Sequence, residues 1–340
     1  MPYEPVRIPR DEQVTVRGLH HHLTWWGEPA EAPIVLLHGY QDCGATWQFL
    51  VDCLPRTWSL VAPDWRGFGR SEWAPGGYWF PDYLADLEAL LDRLVPYEAA
   101  RIIGHSMGAN VAQLYAGVRP KRLAWLASLE GLGLHRSDPG DAPARYAQWL
   151  DELRQAPREG RFASAQALAA LLTARNPRLP SERAEFLARA WTRPVGPVQP
   201  VQPAGSAGSA GSDKPADIPG AEPDGEVELR FDPRHRQVNP VLYRREEAEA
   251  CWARIEAPVL LLLGEQSDHR AKHLPPASEA ALQTLFRALQ IVTLPGVGHL
   301  MHHENPAAVA HHVMAFDQTC ATAPNRRLRR EPSSRDAGES

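Results

Sequence analysis

The pentapeptide Gly104-His105-Ser106-Met107-Gly108 constrains this chain more than any other segment, because of what flanks it. Arg101-Ile102-Ile103 before it is a short apolar run of strand character. Ala109-Asn110-Val111-Ala112-Gln113-Leu114-Tyr115 after it has apolar positions at 111, 114, 115 and 118, which follow a helical period. A serine on a tight strand-to-helix turn is forced into strained backbone geometry with its hydroxyl exposed at the sheet edge. Side chains two residues before and after it would collide, and both positions are glycine. The setting marks Ser106 as a candidate nucleophile.

A serine hydroxyl needs a base, and the base needs an orienting acid. Pro258 to Gly264 is an apolar run of buried-strand length, followed by Glu265-Gln266-Ser267-Asp268. Gln290 to Leu294 is the next strand-like run, followed by Pro295-Gly296-Val297-Gly298-His299. Loops after successive parallel strands open at one sheet edge, so Asp268 and His299 are expected beside Ser106. Glu130 is the alternative acid, because it follows the strand next to the elbow strand. Asp268 is preferred for its place after the later strand.

Two more segments complete a pattern. His38-Gly39-Tyr40 follows the apolar run Ile34 to Leu37, and Asp64-Trp65-Arg66-Gly67-Phe68-Gly69-Arg70-Ser71 follows Leu60-Val61-Ala62. With the elbow, these resemble the H-G, D-x-R-G-x-G-x-S and G-x-S-x-G segments of the alpha/beta-hydrolase superfamily, over about residues 14–131 and 250–316. His38-Gly39-Tyr40-Gln41-Asp42 and Glu130-Gly131-Leu132-Gly133 are similar to its serine hydrolase-like (kraken-type) branch. The resemblance implies a mostly parallel central sheet flanked by helices, with a helical cap insertion. It also implies an oxyanion hole from the backbone N–H groups of Tyr40 and Met107. Serine rather than aspartate at the elbow argues against dehalogenase and epoxide hydrolase chemistry. Carboxylic ester hydrolysis through an acyl-enzyme is the expected activity. The alternatives are a cofactor-free haloperoxidase or perhydrolase, a carbon–carbon bond hydrolase, and a non-catalytic ligand-binding protein on the same fold.

The expected organisation is a hydrolase core over 1–131 and 246–320, a helical cap over 132–245, and a disordered tail over 321–340. Within the cap, 146–150, 165–174 and 182–191 read as helices without intervening strands. Residues 194–225 hold seven prolines and six glycines, too little apolar surface to offset the entropy of ordering, so a disordered loop is expected there. A chain of 340 residues with 44% hydrophobic content supports one large core.

The remaining composition narrows the partners. A formal charge of −5 offers no basic field for nucleic acid, and no run of eighteen apolar residues exists to span a membrane. Cys43, Cys53, Cys251 and Cys320 are widely spaced and read as unpaired thiols. These features, with a charged N-terminus unlike a signal peptide, point to a cytoplasmic protein acting on a small-molecule acyl substrate. Fourteen histidines match no zinc-ligand spacing, and His20-His21-His22, His302, His303, His311 and His312 read as loop or surface residues. No metal and no cofactor are expected. His38 is expected to brace the oxyanion loop, His105 to point away from the nucleophile, and Asp64 with Arg66 to form a structural network. Trp65, Trp125, Trp149 and Trp191 line a pocket or pack.

Overall fold

The computed structural model describes residues 2–157, 160–196, 225–274 and 278–321. The chain opens on strands β1 (Arg10–Val16) and β2 (Leu19–Trp26), paired antiparallel. The chain reverses between them at Arg17 and Gly18, which both take positive φ, +48° and +81°. Next come β3 (Ile34–Leu37), the short helix α1 (Gln48–Val51), β4 (Leu60–Pro63) and helix α2 (Phe80–Leu94). The elbow joins β5 (Ala100–His105) to α3 (Met107–Val118), and β6 (Leu123–Leu129) follows.

The middle of the chain contains α4 (Ala142–Glu152), β7 (Arg161–Phe162), α5 (Ala165–Arg175), α6 (Ser181–Trp191), β8 (Thr192–Pro194) and β9 (Val227–Leu229). The last part is α7 (Arg245–Trp252), β10 (Val259–Gly264), α8 (Asp268–His273), α9 (Ser278–Leu285), β11 (Leu289–Leu294), α10 (Met301–Glu304) and α11 (Pro306–Ala321).

Eight strands form one sheet in the order β1-β2-β4-β3-β5-β6-β10-β11. From β4 onward every neighbouring pair is parallel, so the loops after β3, β5, β6, β10 and β11 all open at one edge. The strands β3, β4 and β10 are buried along their whole length, as a sheet covered on both faces requires. One face packs under α2, α3 and α7, where Leu87, Leu90, Val111, Tyr115 and Trp252 join Val35, Ile102 and Leu261. The other packs under α1 and α11, where Trp47, Leu50, Val309 and Val313 meet Leu36, Ile103 and Leu262. The apolar stripe of α2 lies inward at Tyr83, Leu87, Leu90, Leu91 and Leu94. Each such leucine contributes about 1.5–3 kcal/mol on burial.

The segment between β6 and β10 departs from an all-helical insertion. Besides α4, α5 and α6 it holds a three-stranded antiparallel sheet, β7-β9-β8. The two-residue β7 is shorter than sequence periodicity can register. Helices α5 and α6 share a small core with Cys43 and Phe49, through Leu168, Phe186 and Leu187. Residues 197–224 of the Pro/Gly/Ser/Ala-rich loop and 322–340 of the tail lie outside the described residues. The loop's two ends are nevertheless fixed, because Pro194 on β8 pairs with Val227 on β9.

That pairing predicts the effect of excision. Replacing 197–224 by a short Gly-Ser turn changes closure entropy by about a kcal/mol, so the melting temperature should move by only about 2–4 °C. A drop above about 10 °C in thermal unfolding would show that the segment carries structural contacts of its own.

Candidate functional site

Ser106 sits at φ +50° and ψ −111°, a region that costs a non-glycine residue strain unless its surroundings hold it there. Two backbone bonds do so: Ser106 N–H donates to Leu129 O at 2.9 Å, and Asn110 N–H donates to Ser106 O at 3.0 Å. The flanking glycines are close-approach positions. A Cβ on Gly108 would lie 2.2 Å from Leu37 O, and one on Gly104 would lie 2.8 Å from Ala109 N. Gly39 meets the elbow from the other side, since its Cβ would fall 3.3 Å from Ser106 Cβ. The peptide leading into Tyr40 therefore runs beside the serine. Met107 opens α3, where first-turn N–H groups lack helical acceptors and favour negative charge.

His38 braces this loop as a neutral ring in one tautomer. Its Nδ1–H donates to Gly39 O at 2.7 Å, and its Nε2 accepts from Trp65 N–H at 2.9 Å. Trp65 Nε1–H in turn donates to His38 O at 3.1 Å. Burial pushes the His38 pKa down. The outer side of the loop is tied to the chain after β9: Tyr40 donates its hydroxyl proton to His235 O at 2.8 Å. The His235 ring stacks between Phe68 and Tyr78, at 3.9 and 3.5 Å between centroids. Burial among these rings pushes its pKa down to about 3.

The acid facing His299 is Glu130. Its Oε2 accepts from His299 Nδ1 at 2.6 Å. The carboxylate is fully buried and takes two further bonds, from Ser267 Oγ to Oε2 at 2.6 Å and from Gly264 N–H to Oε1 at 2.8 Å. This corrects the expectation for Asp268. Asp268 is exposed in the first turn of α8, where a carboxylate suits the helix dipole. The loop after β10 thus supplies donors that hold the acid, and the acid itself comes from the loop after β6. Glu130 reaches His299 because its backbone turns sharply at φ +52°. Gly131 permits the turn: a Cβ there would lie 2.7 Å from both Ala109 Cβ and Ser128 Oγ.

Several residues around His299 had no signature in the sequence. His105 does not simply point away: its Nε2–H donates to His299 O at 2.9 Å, fixing the backbone of that residue. Glu304 accepts from Gly298 N–H at 2.6 Å and pairs with Arg178 at 2.9 Å. His269 packs its ring 4.2 Å from that of His299, and burial first, then His299, pushes its pKa down to about 3. Ser267, which holds Glu130, also caps α8 by accepting from Arg270 N–H at 3.1 Å.

Asp64 and Arg66 belong to separate networks. Asp64 accepts from Gly44 N–H at 2.5 Å, Arg70 N–H at 2.8 Å and His22 Nδ1 at 3.0 Å. Arg66 makes a bidentate pair with Asp86, at 2.6 and 2.5 Å. Trp65 and Trp125 are buried packing residues, and Trp149 is half-buried on α4. Trp191 Nε1–H donates to Asp42 Oδ1 at 2.8 Å. The histidines read as surface or loop residues divide: His21, His22, His302 and His303 are buried, because each sits where polar partners or aromatic rings enclose it. All four cysteines are free thiols. Among the described residues no helix is long and apolar enough to cross a membrane.

The sheet order, the elbow and the loop placement define a hydrolase fold, and the chain belongs to the family described as alpha/beta hydrolase fold, whose model matches residues 32–306. Within that class it is similar to the serine hydrolase-like protein of Danio rerio, 25% identical over 86% of this chain and 83% of the relative. It is also similar to a 3-hydroxybutyrate-oligomer hydrolase of Cupriavidus necator, 28% identical over 87% of this chain and 93% of that protein. Among solved structures, the hypothetical protein PA1622 of Pseudomonas aeruginosa superposes with a TM-score of 0.73 at 26% identity, covering 91% of this chain and 99% of that one. A thioesterase domain from the curacin biosynthetic pathway shares the fold, at a TM-score of 0.71 and 23% identity over 90% of this chain and 99% of that domain.

The His22 site predicts a pH signature. Burial opposes its charge, but the hydrogen bonds it donates to the Asp11 and Asp64 carboxylates outweigh that and raise the pKa to about 9. A raised folded-state value contributes stability in full below the unfolded value of about 6.5, and that contribution disappears as pH rises through about 9. Unfolding midpoints of the wild type should therefore fall relative to those of His22→Gln across this window. Parallel curves for the two proteins would contradict the assignment.

Proposed function

We propose that this chain is a serine-dependent acyl hydrolase, acting as a carboxylesterase, with Ser106 as nucleophile, His299 as general base and Glu130 as orienting acid. The observation that carries the reading is the 2.6 Å contact between His299 Nδ1 and a fully buried Glu130 carboxylate, on the same sheet edge as the strained elbow of Ser106. Kinship to hydrolases supports the class, and the name of the Cupriavidus relative supports ester chemistry, since hydrolysing a 3-hydroxybutyrate oligomer cleaves ester bonds.

In this reading Ser106 Oγ attacks the carbonyl carbon while His299 Nε2 takes its proton. Glu130 keeps the proton on Nδ1 and stabilises the imidazolium as it forms. The developing oxyanion is received by the backbone N–H groups of Met107 and Tyr40, donors already in place before the charge appears. His299 then protonates the departing alcohol as the tetrahedral intermediate collapses to the acyl-enzyme. Water, deprotonated by the same ring, attacks the ester carbon and releases Ser106. The substrate is a small-molecule acyl compound, and the Ser-His-Glu set needs no electron transfer.

Ser106→Ala should lower turnover of p-nitrophenyl esters on the order of a thousandfold or more with folding intact, and should abolish covalent labelling by a fluorophosphonate. Most activity surviving in that variant would refute the nucleophile. Glu130→Gln should cost on the order of a hundredfold or more in kcat, since the amide favours the wrong tautomer. Asp268→Asn should remain within a few-fold of wild type. A crippled Asp268→Asn beside a mild Glu130→Gln would return the acid to the loop after β10.

A further inference from the structure

Behind the candidate triad, the oxyanion loop and the helix after His299 meet at three buried side chains: Asp42, His302 and His303. The Asp42 carboxylate is held from one side only. Its Oδ1 accepts from Cys43 N–H at 2.8 Å, Thr46 Oγ1 at 2.7 Å and Trp191 Nε1–H at 2.8 Å. Its Oδ2 has no hydrogen bond and faces the two imidazoles, 3.7 Å from His302 Nε2 and 3.8 Å from His303 Nε2. Both rings are fully buried, and none of their four nitrogens has a hydrogen-bond partner. One donor atom from each of the three residues lies within 4.8 Å of the others.

Those gaps are too long for hydrogen bonds, which run at about 2.7–3.2 Å. They are nearer the edge between two ligands of a tetrahedral ion: bonds of about 2.0–2.1 Å to nitrogen or oxygen place neighbouring ligand atoms about 3.4 Å apart. A buried polar atom left unpartnered is costly, and this cluster gathers five of them. The three Asp42 Oδ1 bonds also orient the free oxygen, the role that outer hydrogen bonds play for a ligating carboxylate.

We propose that Asp42, His302 and His303 bind a divalent transition-metal ion of the zinc class. Two imidazoles and one carboxylate suit zinc, cobalt or nickel, and suit magnesium or calcium poorly, since those ions take oxygen ligands. The ion serves as a structural fastener. Asp42 lies two residues after Tyr40, and His302 lies three after His299. Trp191, bonded to Asp42, closes α6. One ion therefore joins the oxyanion loop, the histidine-bearing segment and the insertion at a single point.

The test uses the full-length, untagged protein, stripped with a chelator and then titrated with zinc or Co(II). The expected result is one equivalent of zinc retained per chain by elemental analysis, the visible absorption of tetrahedral Co(II), and a melting temperature several degrees higher with the ion than without it. Asp42→Asn and His302→Gln should lose the ion. Ser106→Ala and His269→Gln should retain it, which separates this site from the imidazoles beside His299. Should the ligand variants fail to fold, the zinc X-ray absorption spectrum of His269→Gln decides, and it must report two imidazoles with an oxygen ligand. No Co(II) band and no stabilisation in the wild type, or loss of the ion in His269→Gln, would overturn the proposal.

Discussion

The whole edge of the sheet is organised by how closely α3 approaches β3 and β5. Gly108 lets the first turn of α3 lie on the carbonyl of Leu37, where even a methyl group would clash. Gly104 does the same against the backbone of Ala109, and Gly39 brings the next loop against Ser106. A strained residue persists only when its surroundings over-determine it. Here the surroundings are the fully buried strand β3 on one side, the largely buried strand β6 on the other, and the bond from Ser106 N–H to Leu129 O. The serine is thus presented on a rigid corner rather than a mobile loop, which is what the proposed role as nucleophile requires.

The histidine receives comparable support from several directions. Glu130 fixes its Nδ1, His105 fixes its carbonyl, and Glu304 fixes the preceding peptide. Glu130 is itself held by Gly264 and Ser267 from the neighbouring strand's loop. A carboxylate buried without such donors would be expelled or neutralised. With three bonds it can stay in place and orient the ring. The Asp42 cluster continues this pattern one layer deeper, where it links the loop of Tyr40 to the helix that follows His299.

Much of this was legible in the sequence, for a physical reason. The elbow, His38-Gly39 and the Asp64 turn are contiguous sequence motifs, readable although the partners that hold them are distant, and His38 braces its loop as expected. The parallel core strands are continuous apolar runs, so their ends were readable to within a residue or two. The acid was harder. Asp268 and Glu130 both end up near the right edge, and spacing alone does not reveal which side chain a turn aims inward. The positive φ at Glu130, with Gly131 beside it, turns that carboxylate inward to His299, while Asp268 stays exposed. Burial of His302 and His303 was hidden for a different reason. Their partner Asp42 comes from the far end of the chain, so no spacing rule joins them. The small β7-β9-β8 sheet escaped because its strands hold only two or three residues.

The contact between His299 and Glu130 is the centre of the proposed site, and proton NMR reads it directly. An imidazole N–H shared with a buried carboxylate at 2.6 Å should give a far-downfield resonance, assigned by its loss in His299→Gln. This signal should persist in Asp268→Asn and vanish in Glu130→Gln. A signal that survives Glu130→Gln and disappears in Asp268→Asn would contradict this pairing.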